Sequence, residues 1–121
     1  MEDLKAVRKK WIETYFAGDI EALKTMEFPN YMVLSELGLE DQEERLSSIA
    51  NKIATGVWFP PGAEKQETDV SYLGNDCACQ VIGSGTIVVG DQVIRRFNFS
   101  EFWLKDGDQW KAQCLHLSHK Q

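Results

Sequence analysis

Apolar residues recur at helical spacing over residues 3–17, where Leu4, Val7, Trp11, Ile12 and Tyr15 share one wide stripe. Glu2 and Asp3 sit at the positive end of that helix dipole. Gly18 stops the helix and Asp19 caps a second one, whose inner face is Ile20, Leu23 and Met26. Phe28-Pro29-Asn30 breaks it. Tyr31-Met32-Val33-Leu34 reads as a brief strand ended by Gly38. Asp41 opens a third helix over about 41–55, with Leu46, Ile49, Ala50 and Ile53 inside and Glu43, Glu44, Arg45 and Lys52 on a solvated face. Val57 to Gly62 is a loop carrying Trp58 and Phe59 beside two prolines, either a plug for one end of the core or a lid over a cavity.

From about residue 62 the period changes to that of a β meander. Strands are predicted over 64–73, 77–89, 93–105 and 109–118, with turns at Gly74-Asn75-Asp76, Gly90-Asp91-Gln92 and Asp106-Gly107. Gly83 and Gly85 lie inside the second of these, where a bulge or bend would curl the sheet. Three helices followed by four long strands predict a single α+β domain over residues 1–121, a curved antiparallel sheet around the N-terminal helix.

Composition narrows the function. The 121 residues are one domain's worth, and 43% apolar content supplies one core. A net charge of −6 repels phosphate backbones, so no nucleic-acid partner is expected. No apolar run is long enough to span a membrane. The acidic N-terminus is not a signal peptide, which points to the cytoplasm. Cys77, Cys79 and Cys114 are an odd count without metal-ligand spacing and read as structural thiols, so no metal or other cofactor is expected.

Several segments, taken in order, carry a likeness: Tyr15-Phe16-Ala17-Gly18-Asp19-Ile20-Glu21-Ala22-Leu23, then Lys105-Asp106-Gly107, then Trp110 to His116-Leu117-Ser118. Across almost the whole chain the pattern resembles the nuclear transport factor two-like superfamily. The last segment resembles its SnoaL-like branch. Gly74-Asn75-Asp76-Cys77-Ala78-Cys79 and Leu34-Ser35-Glu36-Leu37-Gly38 are similar to the association (hub) domain of calmodulin-dependent kinases. The resemblance implies a cone, with a bent sheet wrapped round a long helix, a cavity at the open end and dimers through the outer sheet face. Shared fold says little about chemistry.

Ketosteroid isomerase has this fold and uses a carboxylate base and a tyrosine. A gapless alignment on Gly18-Asp19 puts Ser35 at the base position and Trp11 at the tyrosine position, so that mechanism is not expected. At the positions of the kinase hub's pocket arginines stand Ser84 and Ser100.

The register of the last hairpin decides which face looks inward. A two-residue loop would put Lys105 opposite Asp108, and a three-residue loop would put Glu101 opposite Lys111. The second pairs opposite charges and is preferred. It gathers Arg96, Asn98, Ser100, Cys114 and His116 on a mixed polar face suited to a cavity, and leaves Phe97, Phe99 and Trp103 for a dimer contact. The expected ligand-binding residues are therefore Trp11, Tyr15, Tyr31, Trp58, Arg96, Asn98 and His116, with His116 the candidate catalytic group. Arg96 would hold an anion or pair with a helix carboxylate, and Arg8 would snorkel past Trp11. The expected role is a homodimeric, cytosolic domain binding a small organic ligand, with acid–base chemistry if it catalyses. The alternative is a non-catalytic assembly domain like the kinase hub.

Overall fold

The structure, a computed structural model, describes residues 2–120. Helix α1 (Glu2–Ala17) buries Leu4, Arg8 and Trp11, the core of the predicted stripe. After Gly18, at φ 70, the Asp19 carboxylate accepts from Ala22 N and starts α2 (Ile20–Met26). Strand β1 (Glu27–Ser35) turns into β2 (Gly38–Asp41), and Asp41 caps α3 (Gln42–Ala54) in a reciprocal capping box with Glu44. Strands β3 (Glu64–Gly74), β4 (Ala78–Val89), β5 (Gln92–Asp106) and β6 (Gln109–His119) follow.

All six strands form one sheet in the order β2-β1-β6-β5-β4-β3. The α+β reading and the four long strands stand, and the N-terminal strands are more extensive than expected. The segment with Pro29 lies within β1, and β2 fills the stretch before Asp41. Strand β1 runs parallel to β6, so the sheet is mixed rather than antiparallel. The β1–β6 register slips between Glu27 and Met32, which takes Pro29 out of the regular ladder where its missing N–H would cost a bond.

Neither Gly83 nor Gly85 is a bulged residue, since β4 pairs with β5 without a slip from Ala78 to Ile87. The bulge lies on β3, where Asp69 and Val70 face one residue of β4 and Asp69 takes φ 56. The glycines instead make room for rings: a Cβ on Gly85 would lie 2.7 Å from Cζ of Phe97, and one on Gly83 3.0 Å from Cζ of Phe99.

The β5–β6 turn follows neither predicted register. Asp106 faces Gln109 across a two-residue loop of Gly107 and Asp108, with Gly107 at φ 62. A further slip at Gln113 then sets Ser100 opposite His116 and Glu101 opposite Leu115. Lys111 pairs instead with Asp106, at 3.0 Å. Phe97, Phe99, Glu101 and Trp103 form the face that meets the helices and are buried, so they are not the dimer contact expected of them. Of the four apolar positions assigned to the inner face of α3, Leu46 and Ile49 are buried while Ala50 and Ile53 are exposed. No helix among the described residues is long and apolar enough to cross a membrane.

Candidate functional site

The concave sheet face does not close fully on α1 and α3. It leaves a cavity of about 80 Å³ lined by Trp11 and Tyr15 from α1, Leu46 and Ile49 from α3, Glu27 and Tyr31 from β1, Phe97 and Glu101 from β5, and Leu115 and Leu117 from β6. Most of this wall is apolar or aromatic, with a few polar groups converging on it, the usual make-up of a small-molecule site.

Glu27 is the unusual member. It opens β1 immediately after α2, which turns its side chain inward beneath α1, and it is only 5% exposed. Trp11 Nε1 donates to its Oε2 at 2.9 Å, and Gln42 Nε2 donates to Oε1 at 3.3 Å. Burial raises its pKa above the ordinary carboxylate value, and the two hydrogen bonds and the charge of Arg45 only partly oppose this. Tyr31, fully buried beside it, is also pushed well up, by burial first and then by the Glu27 carboxylate.

Further along the same wall lies a charged network. Arg8 contacts Glu101 through Nε at 2.6 Å and Nη2 at 2.9 Å, and also reaches Glu67 and the Tyr72 hydroxyl. Trp103 Nε1 donates to Glu101 at 2.8 Å. Lys65 Nζ lies 2.9 Å from Glu67 and 3.8 Å from Glu101. Burial works against the charge on Arg8, but its two carboxylates overcome this and hold it above even the usual guanidinium pKa. Glu67 is held below the ordinary carboxylate value: burial opposes this, and Arg8 and Lys65 prevail. Arg8 is thus a paired core residue and does not snorkel past Trp11 to water. Among the described residues no cluster of three or more His, Cys, Asp or Glu is placed to hold a metal ion.

No protein-family model matches the chain, and no curated protein matches its sequence. Solved structures do match. A provisionally assigned dehydratase of the NTF2-like family from Streptomyces avermitilis superposes with a TM-score of 0.80 at 17% identity, over 99% of this chain and 95% of that one. A provisionally assigned ketosteroid isomerase from Parabacteroides distasonis gives 0.72 at 15% identity, over 98% and 86%. A Nostoc punctiforme protein of unknown function with a cystatin-like fold gives 0.78 at 12% identity, over 98% and 89%. The chain has the nuclear transport factor two-like fold. At these identities the likeness concerns the fold alone.

Within that fold the expected site residues divide into three groups. Trp11, Tyr15 and Tyr31 line the cavity. Trp58 packs beside it rather than on it: its ring meets Tyr15 at 5.1 Å and its Nε1 donates to the Phe16 carbonyl at 2.9 Å, so the loop plugs the end of α1. Arg96, Asn98 and His116 stand on the outer face of the sheet with Ser100 and Cys114, all but the half-buried Ser100 exposed. They share one face, as the predicted pairing grouped them, but that face points away from α1, because the alternate set of Phe97, Phe99, Glu101 and Trp103 packs on the helices. On that outer face Asn98 accepts from Ser84, and Ser100 accepts from Gln80.

Ser35, at the position of the isomerase base, caps the β1–β2 turn, its Oγ accepting from Leu37 N. The cavity carboxyl comes from the other end of the same strand, at Glu27. Its sequence signal was an acid directly after the inward Met26, two residues before a helix-breaking proline. Glu101 and Arg8 carried a fainter one, each being a charge within a predicted apolar or aromatic face.

Proposed function

We propose that this domain binds a small organic molecule in the cone cavity and that Glu27 is its proton-transfer group. The observation behind this is a carboxyl 5% exposed on an otherwise aromatic and aliphatic wall, held by Trp11 and Gln42, with its pKa raised by burial. A raised carboxyl brings a general acid–base closer to neutral pH, where proton exchange is fastest. The dehydratase and isomerase assigned to two structures of this fold are both proton-moving activities, which fits the reading without naming a substrate.

The test follows deuterium incorporation by NMR, in D2O, at carbon positions next to the carbonyl of small ketones, aldehydes and esters. Protein-dependent exchange that falls by about 10²–10⁴-fold in Glu27→Gln supports the reading. Exchange indifferent to that substitution refutes the role of Glu27. Absence of both binding and exchange across the panel would favour the alternative, an assembly domain without chemistry.

The reading includes a homodimer through the outer sheet face. Gln80, Ser84, Asn98 and Ser100 are joined there in hydrogen-bonded pairs, and Arg96 is the charged side chain beside them. A charge-poor, self-satisfied face suits burial against a second copy. Three free cysteines suit a reducing compartment, so a cytoplasmic location is part of the same proposal.

A further inference from the structure

We infer that the molecule taken into the cavity is a short-chain monocarboxylate, its carboxylate resting on the guanidinium of Arg95. This rests on the reading of the cavity as a binding site. Three cations line the cavity, Arg45, Lys65 and Arg95, against the two carboxyls Glu27 and Glu101, in a chain whose net charge is −6. They are not equally available to a ligand. Lys65, with a side chain 9% exposed, already lies 2.9 Å from Glu67 and 3.8 Å from Glu101. Arg45 stands 3.6 Å from Glu40 Oε1, a buried oxygen that has no hydrogen bond, so drawing Arg45 away would strip that atom of its counter-charge.

Arg95 is the exchangeable cation. Its ion pair with Glu36 is 3.4 Å long, and the two side chains are 38% and 52% exposed. Glu36 can return to water when a ligand carboxylate takes its place. The register places Arg95 in one row with Ile87 and Lys65 across β5, β4 and β3, on the inner face of the sheet. Its guanidinium carbon is 5.7 Å from the centroid of Phe97, a wall of the cavity. Stacking on that ring leaves the planar fork free to take both oxygens of a carboxylate.

Size limits what is attached to the carboxylate. A cavity of about 150 Å³ accepts benzene, so about 80 Å³ accommodates an apolar body of roughly three or four carbons. With the carboxylate on the half-exposed Arg95, that body faces Tyr15, Phe97 and Leu115.

The experiment compares butyrate and isovalerate with butyramide and isovaleramide, using the full chain. Binding is read by calorimetry and by the NMR shift of the Trp11 indole N–H, with acetate and chloride as ionic controls. The expected result is a shift of the indole resonance, at least tenfold tighter binding of each acid than of its amide, and weakening with added salt. Arg95→Gln should remove that preference and Arg95→Lys should restore part of it, with the melting curve showing that both variants fold. Equal affinity for acid and amide overturns the inference and leaves the cavity reading standing. A preference that survives Arg95→Gln overturns the assignment to Arg95. No shift with acid or amide overturns the inference and the cavity reading together.

Discussion

The guanidinium of Arg8 meets both carboxylate oxygens of Glu101, at 2.6 and 2.9 Å, tying the middle of α1 to the middle of β5 across 93 residues of sequence. Both residues are almost completely buried, 3% and 1% exposed. A buried pair of this kind adds little over a well-packed apolar substitute, but losing one partner leaves an uncompensated charge in the core. Arg8→Met should therefore cost about 3–5 kcal/mol of unfolding free energy in urea. Adding Glu101→Gln to it should recover more than half of that loss, because the orphaned charge goes while Trp103 keeps an acceptor. Additive losses in the double variant would show that the two groups are not coupled.

Glu27 and Glu67 should respond to pH in opposite directions. Glu27 has a folded pKa above its unfolded one, so its favourable term is full below the unfolded value and is lost as pH rises through the folded one. Glu67 has a folded pKa below its unfolded one, so its term is present above the unfolded value and is lost as pH falls. The melting temperature of Glu27→Gln relative to wild type should rise between pH 4 and pH 7. That of Glu67→Gln should fall over the same interval. Parallel profiles for the two variants would contradict these environments.

How far the sequence could be read follows from which interactions are local. Asp19 and Asp41 announce their helices because a cap is made with the next few residues, and both caps are present. The long strands show in their period and in their turn residues. The hairpin register did not, because it was argued from one cross-strand pair, Glu101 with Lys111. Glu101 takes its cation from α1 and Lys111 takes its anion from Asp106. Arg96, Asn98, Ser100, Cys114 and His116 do share one face, as that pairing grouped them, but pairing does not say which face meets the helices, and the aromatic face does. The cavity-wall positions of Trp11, Tyr15 and Tyr31 were legible because a helix stripe and a short apolar strand have inward faces that depend on no register. Pro29 hid the first part of β1, since a strand that slips past a proline does not look like one in sequence.

Gly85 is held glycine by the core above it. Phe97 is 5% exposed and its Cζ lies 2.7 Å from where a Cβ would be, so the ring cannot swing clear without disturbing the cavity wall. Gly85→Ala should cost about 1–3 kcal/mol by overpacking. Restoring most of that stability with Phe97→Leu in the same chain would identify the ring as the obstacle. If Gly85→Ala melts like wild type, the close approach does not constrain this position.

Trp58 links the 57–62 loop to the end of α1. Its indole N–H satisfies the Phe16 carbonyl, one of the last acceptors of the helix, and its ring packs edge-on to Tyr15 and Phe59. Trp58→Phe should cost about 1 kcal/mol through the lost hydrogen bond, and Trp58→Ala about 2–4 through lost ring contact as well. A plug and a lid differ in what else changes: removing a plug lowers stability and leaves ligand entry rates as they are, whereas removing a lid speeds entry and release. Stopped-flow binding of the tightest probe to Trp58→Ala should show unchanged rates once the fraction folded is corrected for.

The outer sheet face offers the clearest test of assembly. Ser100 lies on β5 between Ile82 on β4 and His116 on β6, two strands in from the β3 edge of the sheet and three from the β2 edge. Its side chain accepts from Gln80 and is half-buried already in the single chain. An arginine there would stand out from the middle of the face and, in a twofold dimer, would bring like charges from both copies toward one another. Light scattering at micromolar concentration should give a dimer mass for the wild type and a monomer mass for Ser100→Arg. Because the residue points away from the core, the melting curve extrapolated to low concentration should be nearly the same for both. A wild-type chain that is monomeric at that concentration would remove the dimer proposal, and a dimer that survives Ser100→Arg would move the interface to another face.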